Sequence, residues 1–125
     1  MIDKASLRAE AVRLGQTATV RGDFAELREA LSSPEATRDF RAGLIADGLA
    51  SACAHGNLIA VHFFTDMLCP NPNIYPDMKH SILEEALTAA QEHRAPRDIR
   101  EYLENQVRSF MGKRSIGIRA RRFVA

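Results

Sequence analysis

The stretch Asp47-Gly48-Leu49-Ala50-Ser51-Ala52-Cys53-Ala54-His55-Gly56-Asn57-Leu58-Ile59-Ala60-Val61 holds a helix, a break and the start of a second helix. Leu49, Ala52 and Cys53 share one helical face, as do Leu58, Val61, Phe64 and Leu68 beyond the break, because side chains three and four apart lie together on a helix. The small residues Ala52 and Cys53 let the first helix approach its neighbours closely. Gly56 supplies the positive φ that ends a helix at a tight turn. The unit reads as a helical hairpin.

The same pattern extends in both directions. Upstream, Thr37 to Phe40 leads into the helix of Leu44 and Ile45, and Ser32-Ser33-Pro34 closes an earlier face made by Phe24, Leu27, Ala30 and Leu31. Before that, Leu7, Ala11, Leu14 and Ala18 form the first face, broken at Gly22-Asp23. Downstream, three prolines in the stretch from Cys69 through Pro76 leave little room for regular helix. Ile82, Leu83, Ala86, Leu87 and Ala90 then make a fifth face, and Ile99, Leu103 and Val107, with Tyr102, a sixth. Arg94-Ala95-Pro96 separates these two, with Pro96 placed at or near a helix start. Six short helices in three pairs predict an all-α fold. The frequency of Ala, Leu, Glu and Arg and the lack of β-branched runs agree.

Pairs of helices prompt a search for a period. Gly22, Leu27 and Leu31 stand 34 residues before Gly56, Val61 and Thr65, while Leu87, Ala90, Ile99 and Leu103 stand 38 after Leu49, Ala52, Val61 and Thr65. The central unit resembles the ankyrin repeat, with Leu49, Ala52, Gly56, Val61 and Phe64 on key positions, Cys53 replacing the second alanine and Asn57 the histidine. Asn71-Pro72-Asn73 is similar to the D-P-N of ankyrin hairpins. Asp47-Gly48-Leu49-Ala50 takes the place of T-P-L-H, and Arg94 stands where the third unit would have glycine. The resemblance spans about residues 5 to 107. It implies a short solenoid of three helix-turn-helix units over residues 1–107, followed by a basic tail, 108–125. It also implies protein binding on a concave face where Ser51, Ala54 and His55 are exposed in the middle unit and Ala89, Glu92 and His93 in the last. Ile74 and Tyr75, among the linker prolines, form a candidate rigid contact loop.

With 125 residues, 46% hydrophobic and 26% charged, the chain has a single domain's length and an ordinary globular balance. Its net charge of +1 hides a division. Arg108, Lys113, Arg114, Arg119, Arg121 and Arg122 fall after residue 107 with no acid among them, which leaves 11 bases against 16 acids before it. The tail interleaves these bases with Ile116, Ile118 and Ala120. It is a candidate for attachment to nucleic acid or a ribonucleoprotein.

No apolar run reaches the length of a membrane span. The first ten residues lack the apolar stretch of a secretory signal, and two cysteines are too few for a disulfide framework, so a cytoplasmic location is expected. Cys53, His55, His62 and Cys69 are soft ligand types, but their spacing matches no structural zinc pattern. Neighbours on a helix point about 100° apart, which excludes a carboxylate dyad at Glu84-Glu85. No nucleotide, zinc-protease or nucleophile-elbow motif is present. The expectation is a non-enzymatic adaptor, inhibitor or assembly subunit without a cofactor, binding a protein and capable of self-association.

Overall fold

Thr37 sets the start of the central helix. Its hydroxyl accepts the Phe40 N–H at 3.1 Å, satisfying one of the amides that a helix start leaves open. The helix then runs through Arg38–Ala54. The computed structural model describes residues 4–34, 36–72 and 74–109, less the side chain of Arg21. Over these residues the chain is all-helical: α1 (Lys4–Thr17), a 3-10 turn (Arg21–Phe24), α2 (Ala25–Ser32), α3 (Arg38–Ala54), α4 (Leu58–Leu68), α5 (Pro76–Glu92) and α6 (97–109). Pro76 begins α5 rather than extending the loop before it, because the amide it lacks has no partner at the first helical position. Asn57 caps α4, its Oδ1 accepting the Ala60 N–H at 3.2 Å.

α3 packs against α1 on one side, α5 on another, and α4. Contacts at both ends show that α1 and α3 run parallel. Arg8 pairs with Asp47 at 2.7 Å near their middles, and Ser51 Oγ donates to the Val12 carbonyl at 2.7 Å further on. Beyond these, Asn57 Nδ2 donates to the Ala18 carbonyl at 2.9 Å. α5 is parallel too: the Arg38 guanidinium lies 4.5 Å from the centre of the Tyr75 ring at the starts, and Gly56 abuts Pro96 past the ends. Gly15 allows the close crossing of α1 and α3, and Gly48 makes room on α3 for the Phe64 ring of α4. A Cβ on Gly15 would come within 2.8 Å of the Ala52 nitrogen and 2.9 Å of the Gly48 oxygen.

The core lies between the helices and runs the length of the described chain. At its centre Phe24 stacks on Phe63, with ring centroids 4.0 Å apart, and meets Phe64 edge-on. Leu27, Leu44, Leu49, Val61, Leu83, Ile99 and Leu103 are fully enclosed around them.

α3 and α5 end alike. His55 and His93 are their C-caps, and each is followed by a residue in the left-handed region, Gly56 at φ 65° and Arg94 at φ 53°. The next amide closes the turn on the carbonyl five residues back: Asn57 to Ala52 at 2.9 Å, Ala95 to Ala90 at 2.8 Å. The second turn has glycine geometry without the glycine. A left-handed conformation costs a residue with a Cβ roughly 1–2 kcal/mol, so Arg94→Gly is expected to stabilise the protein by about 1 kcal/mol. Thermal denaturation should show a rise of about 4 °C. The same geometry removes Gly22 from the series. It sits in the 3-10 turn, and α1 has already ended at Thr17, so its 34-residue spacing to Gly56 is not a structural equivalence.

Asp23 holds that 3-10 turn. Its carboxylate accepts the Thr19 N–H at 2.8 Å and the Val20 N–H at 3.2 Å, and these two bonds, Thr19 first, hold its carboxyl below the usual carboxylate range. A lowered folded pKa means the contribution to stability is complete above the unfolded value, about 4, and is lost as pH falls through the folded one. Asp23→Asn should therefore destabilise the chain at pH 7, and the gap to wild type should narrow by pH 3 in urea titrations.

Candidate functional site

The proposed contact residues divide between two ends of the molecule. His55 and His93 are both exposed at the C-terminal ends of parallel helices, and Glu92 is exposed beside His93. His55 Nδ1 lies 3.0 Å from its own helix's Ser51 carbonyl. Tyr75, 59% exposed, stands at the opposite end, at the N-cap of α5. A 17-residue helix separates the two ends, about 25 Å at 1.5 Å per residue. The turn histidines and the proline loop are thus distinct surfaces.

Two of the predicted surface residues are interior. Ser51 is 8% exposed because α1 crosses directly over it at Gly15, and its hydroxyl is spent on Val12. Ile74 is 1% exposed, turned into the core while its neighbour Tyr75 turns out under Arg38. Ala54 and Ala89 are half-buried. Of the tail's bases, only Arg108 is described, exposed near the end of α6; Lys113, Arg114, Arg119, Arg121 and Arg122 lie outside the described residues.

One surface feature had no sequence signal beyond its residue types. Ser81, Glu84, Glu85, Thr88, Ala89 and Glu92 line a shallow groove of about 330 Å³ along α5. They recur at three- and four-residue spacing and so form one stripe. Asp77, Glu84, Glu85 and Glu92 are the exposed charges of α5, all acidic. Its lysine, Lys79, is turned inward at 8% exposure, where its amine donates to the Cys69 carbonyl at 2.8 Å and ties the end of α4 to the start of α5. His80 Nε2 lies 3.1 Å from Glu84 Oε1. Glu85 and Glu92 make no hydrogen bond or ion pair with any described residue.

Nothing among the described residues assembles a reactive centre from the soft side chains. Cys53 is fully buried, and burial pushes its thiol up to about 12. Cys69 instead donates to Gln106 Oε1 at 3.5 Å, and His62 rests against Tyr102 with ring centroids 4.3 Å apart. No three His, Cys, Asp or Glu side chains among the described residues converge as a metal site would require. A thiol held in its protonated form is a poor nucleophile. Cys53 should therefore resist iodoacetamide at pH 8 in the folded protein and react at the free-cysteine rate in 6 M guanidinium, as peptide mass spectrometry would show. No described helix is long and apolar enough to cross a membrane. No family model, curated protein or solved structure matches the chain.

Proposed function

We propose that the chain is a non-enzymatic interaction module, a short stack of three helical hairpins (α1–α2, α3–α4 and α5–α6) similar in plan to an ankyrin solenoid. It binds a protein partner, as an adaptor, inhibitor or assembly subunit, through the turns that carry His55, Glu92 and His93. The observation that carries this reading is the repeated ending of α3 and α5. Two parallel helices close with the same turn, each with an exposed histidine at the same position. Repetition of a turn in register is what a stack of like units produces, and it sets side chains in a row along one edge. The helices of this stack are long. Asp47–Ala50 falls in the second half of α3, nine residues past its start, whereas the T-P-L-H it replaces opens an ankyrin helix.

The test is affinity capture with the full chain as bait, with and without nuclease. Wild-type protein should retain a partner after nuclease treatment. The His55→Glu/His93→Glu double variant should lose at least tenfold in recovered partner while its far-ultraviolet circular dichroism is unchanged. Equal recovery by the variant would overturn the assignment of the turns. Loss of all capture on nuclease treatment would move the function to the basic tail.

A further inference from the structure

We infer that Arg38 and Tyr75 form a second interaction surface, which takes a carboxylate from an acidic segment of a partner protein. It lies at the opposite end of the molecule from the turn histidines and does not depend on them. Three cation–ring contacts set up the contrast that points to it. Lys4 and Arg28 lie 5.7 Å from the centres of Phe40 and Phe63, rings that are themselves buried, so each long side chain covers an edge of the core. The Arg38 guanidinium lies closer, 4.5 Å from the centre of Tyr75, a ring that stays exposed. That pair covers no core.

What the pair has is a fixed position and unspent donors. Arg38 is the first residue of α3, set by the Thr37 cap. Tyr75 stands between Ile74, which is sunk in the core, and Pro76, which opens α5 and restricts the backbone of the residue before it. Stacking on the ring orients the guanidinium plane and leaves the N–H groups at its edge to donate outward. Among the described residues, the polar contact of Arg38 is Nε to Asp39 Oδ1 at 3.9 Å, too long for a hydrogen bond. The Tyr75 hydroxyl bonds no described residue.

A planar fork of N–H donors, held in place, matches the two oxygens of a carboxylate. The phenol adds a further donor beside it, and its ring gives a neighbouring apolar side chain something to rest on. Arginine and tyrosine are the residue types that dominate binding energy at protein interfaces. Because the stack is present in the free chain, a partner does not have to order it. The surroundings select a single carboxylate over a polyanion. Asp39 follows Arg38, Asp77 lies two residues past Tyr75, and Glu84 and Glu85 stand further along α5, all exposed. A phosphate chain running past Arg38 meets these charges, whereas one acid on a short peptide segment reaches the fork alone.

The experiment follows the full, isotope-enriched chain by NMR at low salt while a blocked tetrapeptide alternating glutamate and leucine is added. The Arg38 Nε–H and Tyr75 amide signals should shift together and saturate at millimolar peptide. The glutamine counterpart, which cannot form the charged pair, should need about tenfold more. Arg38→Lys keeps the charge and loses the fork, and Tyr75→Ala removes the stack. Each should weaken saturation about fivefold, with the melting temperature unchanged because both side chains are exposed. Arg38 and Tyr75 signals that do not move overturn the proposal. So does saturation of Arg38→Lys at the wild-type concentration, which would mean attraction between charges and no fork. Shifts confined to residues after 107 would place the peptide on the basic tail and equally overturn it. A single-stranded oligonucleotide that moves the Arg38 and Tyr75 signals at lower concentration than the peptide would make this a surface for nucleic acid instead.

Discussion

Gly48→Ala should destabilise the protein by about 2–3 kcal/mol, although alanine is the better helix former. An exposed mid-helix glycine replaced by alanine gains about 1 kcal/mol. Here the added methyl would sit 2.2 Å from Phe64 Cζ and 2.5 and 2.6 Å from its two Cε atoms. The ring cannot withdraw. Phe64 is wholly buried, edge-on to Phe24 at 5.7 Å and to Phe63 at 5.1 Å between centroids, and Phe24 and Phe63 are themselves stacked. Overpacking a core of this kind typically costs 1–3 kcal/mol, occasionally more, and the rigidity of three interlocked rings puts this site at or above the upper end. Against a domain stability of about 5–15 kcal/mol, the loss should lower the melting temperature by about 10 °C.

A double-mutant cycle separates this cause from any other. Phe64→Leu removes the ring edge and, alone, leaves a cavity. Combined with Gly48→Ala, the methyl partly fills the space, so the double variant should be more stable than the sum of the two single losses by 1 kcal/mol or more. Additive losses would mean that the ring contact is not what the glycine serves. Gly15→Ala should fail for a related reason, since its Cβ would meet the backbone of α3 itself, which has no rotamer to change.

Residues that act within one helix or turn were legible in the sequence, and residues that act across helices were not. The lead into α3 was legible at Thr37 to Phe40, where Thr37 makes a local capping bond, and Pro96 marked the approach to α6 because proline's fixed φ and missing amide are local properties too. The six apolar faces became six helices because periodicity is local too. Gly48 could be seen only as a departure from a repeat motif. Its role depends on Phe64, sixteen residues away on a helix whose facing direction no periodicity specifies. Ser51 was assigned to the surface by its place in the repeat, and α1 buries it. Lys79 and Ile74 are the same kind of case: a lysine reads as solvated and a loop isoleucine as open, until a carbonyl and a core reach them. Arg94 shows the converse. Its position was identified as one for glycine, and the backbone there does take the left-handed form, so the turn is set by the helices on either side rather than by the residue at its centre.

Asn57→Ala should cost about 2–3 kcal/mol, because that side chain serves two helices at once. Its Oδ1 caps α4 by accepting the Ala60 N–H, and its Nδ2 donates to the Ala18 carbonyl at 2.9 Å, with the Leu14 carbonyl at 3.5 Å. Loss of a cap costs about 1 kcal/mol. Stranding a sheltered carbonyl costs about 1–3 kcal/mol more, and Ala18 is 5% exposed. The two parts can be resolved by substitution. Asn57→Ser keeps an N-cap oxygen but is too short to reach across to α1, so it should retain the capping share and lose only the bridge. Asn57→Asp also keeps the cap, and then sets a carboxylate against two carbonyl oxygens. Its penalty should exceed that of serine at pH 7 and shrink toward it below pH 4, as the acid protonates and recovers a donor. Urea unfolding of the three variants at pH 7 and pH 3.5 gives the order. If Ser, Asp and Ala cost the same at both pH values, Asn57 does not tie α1 to the second hairpin, and the parallel packing of α1 on α3 rests on the close crossing at Gly15, the Arg8–Asp47 pair and the Ser51–Val12 bond.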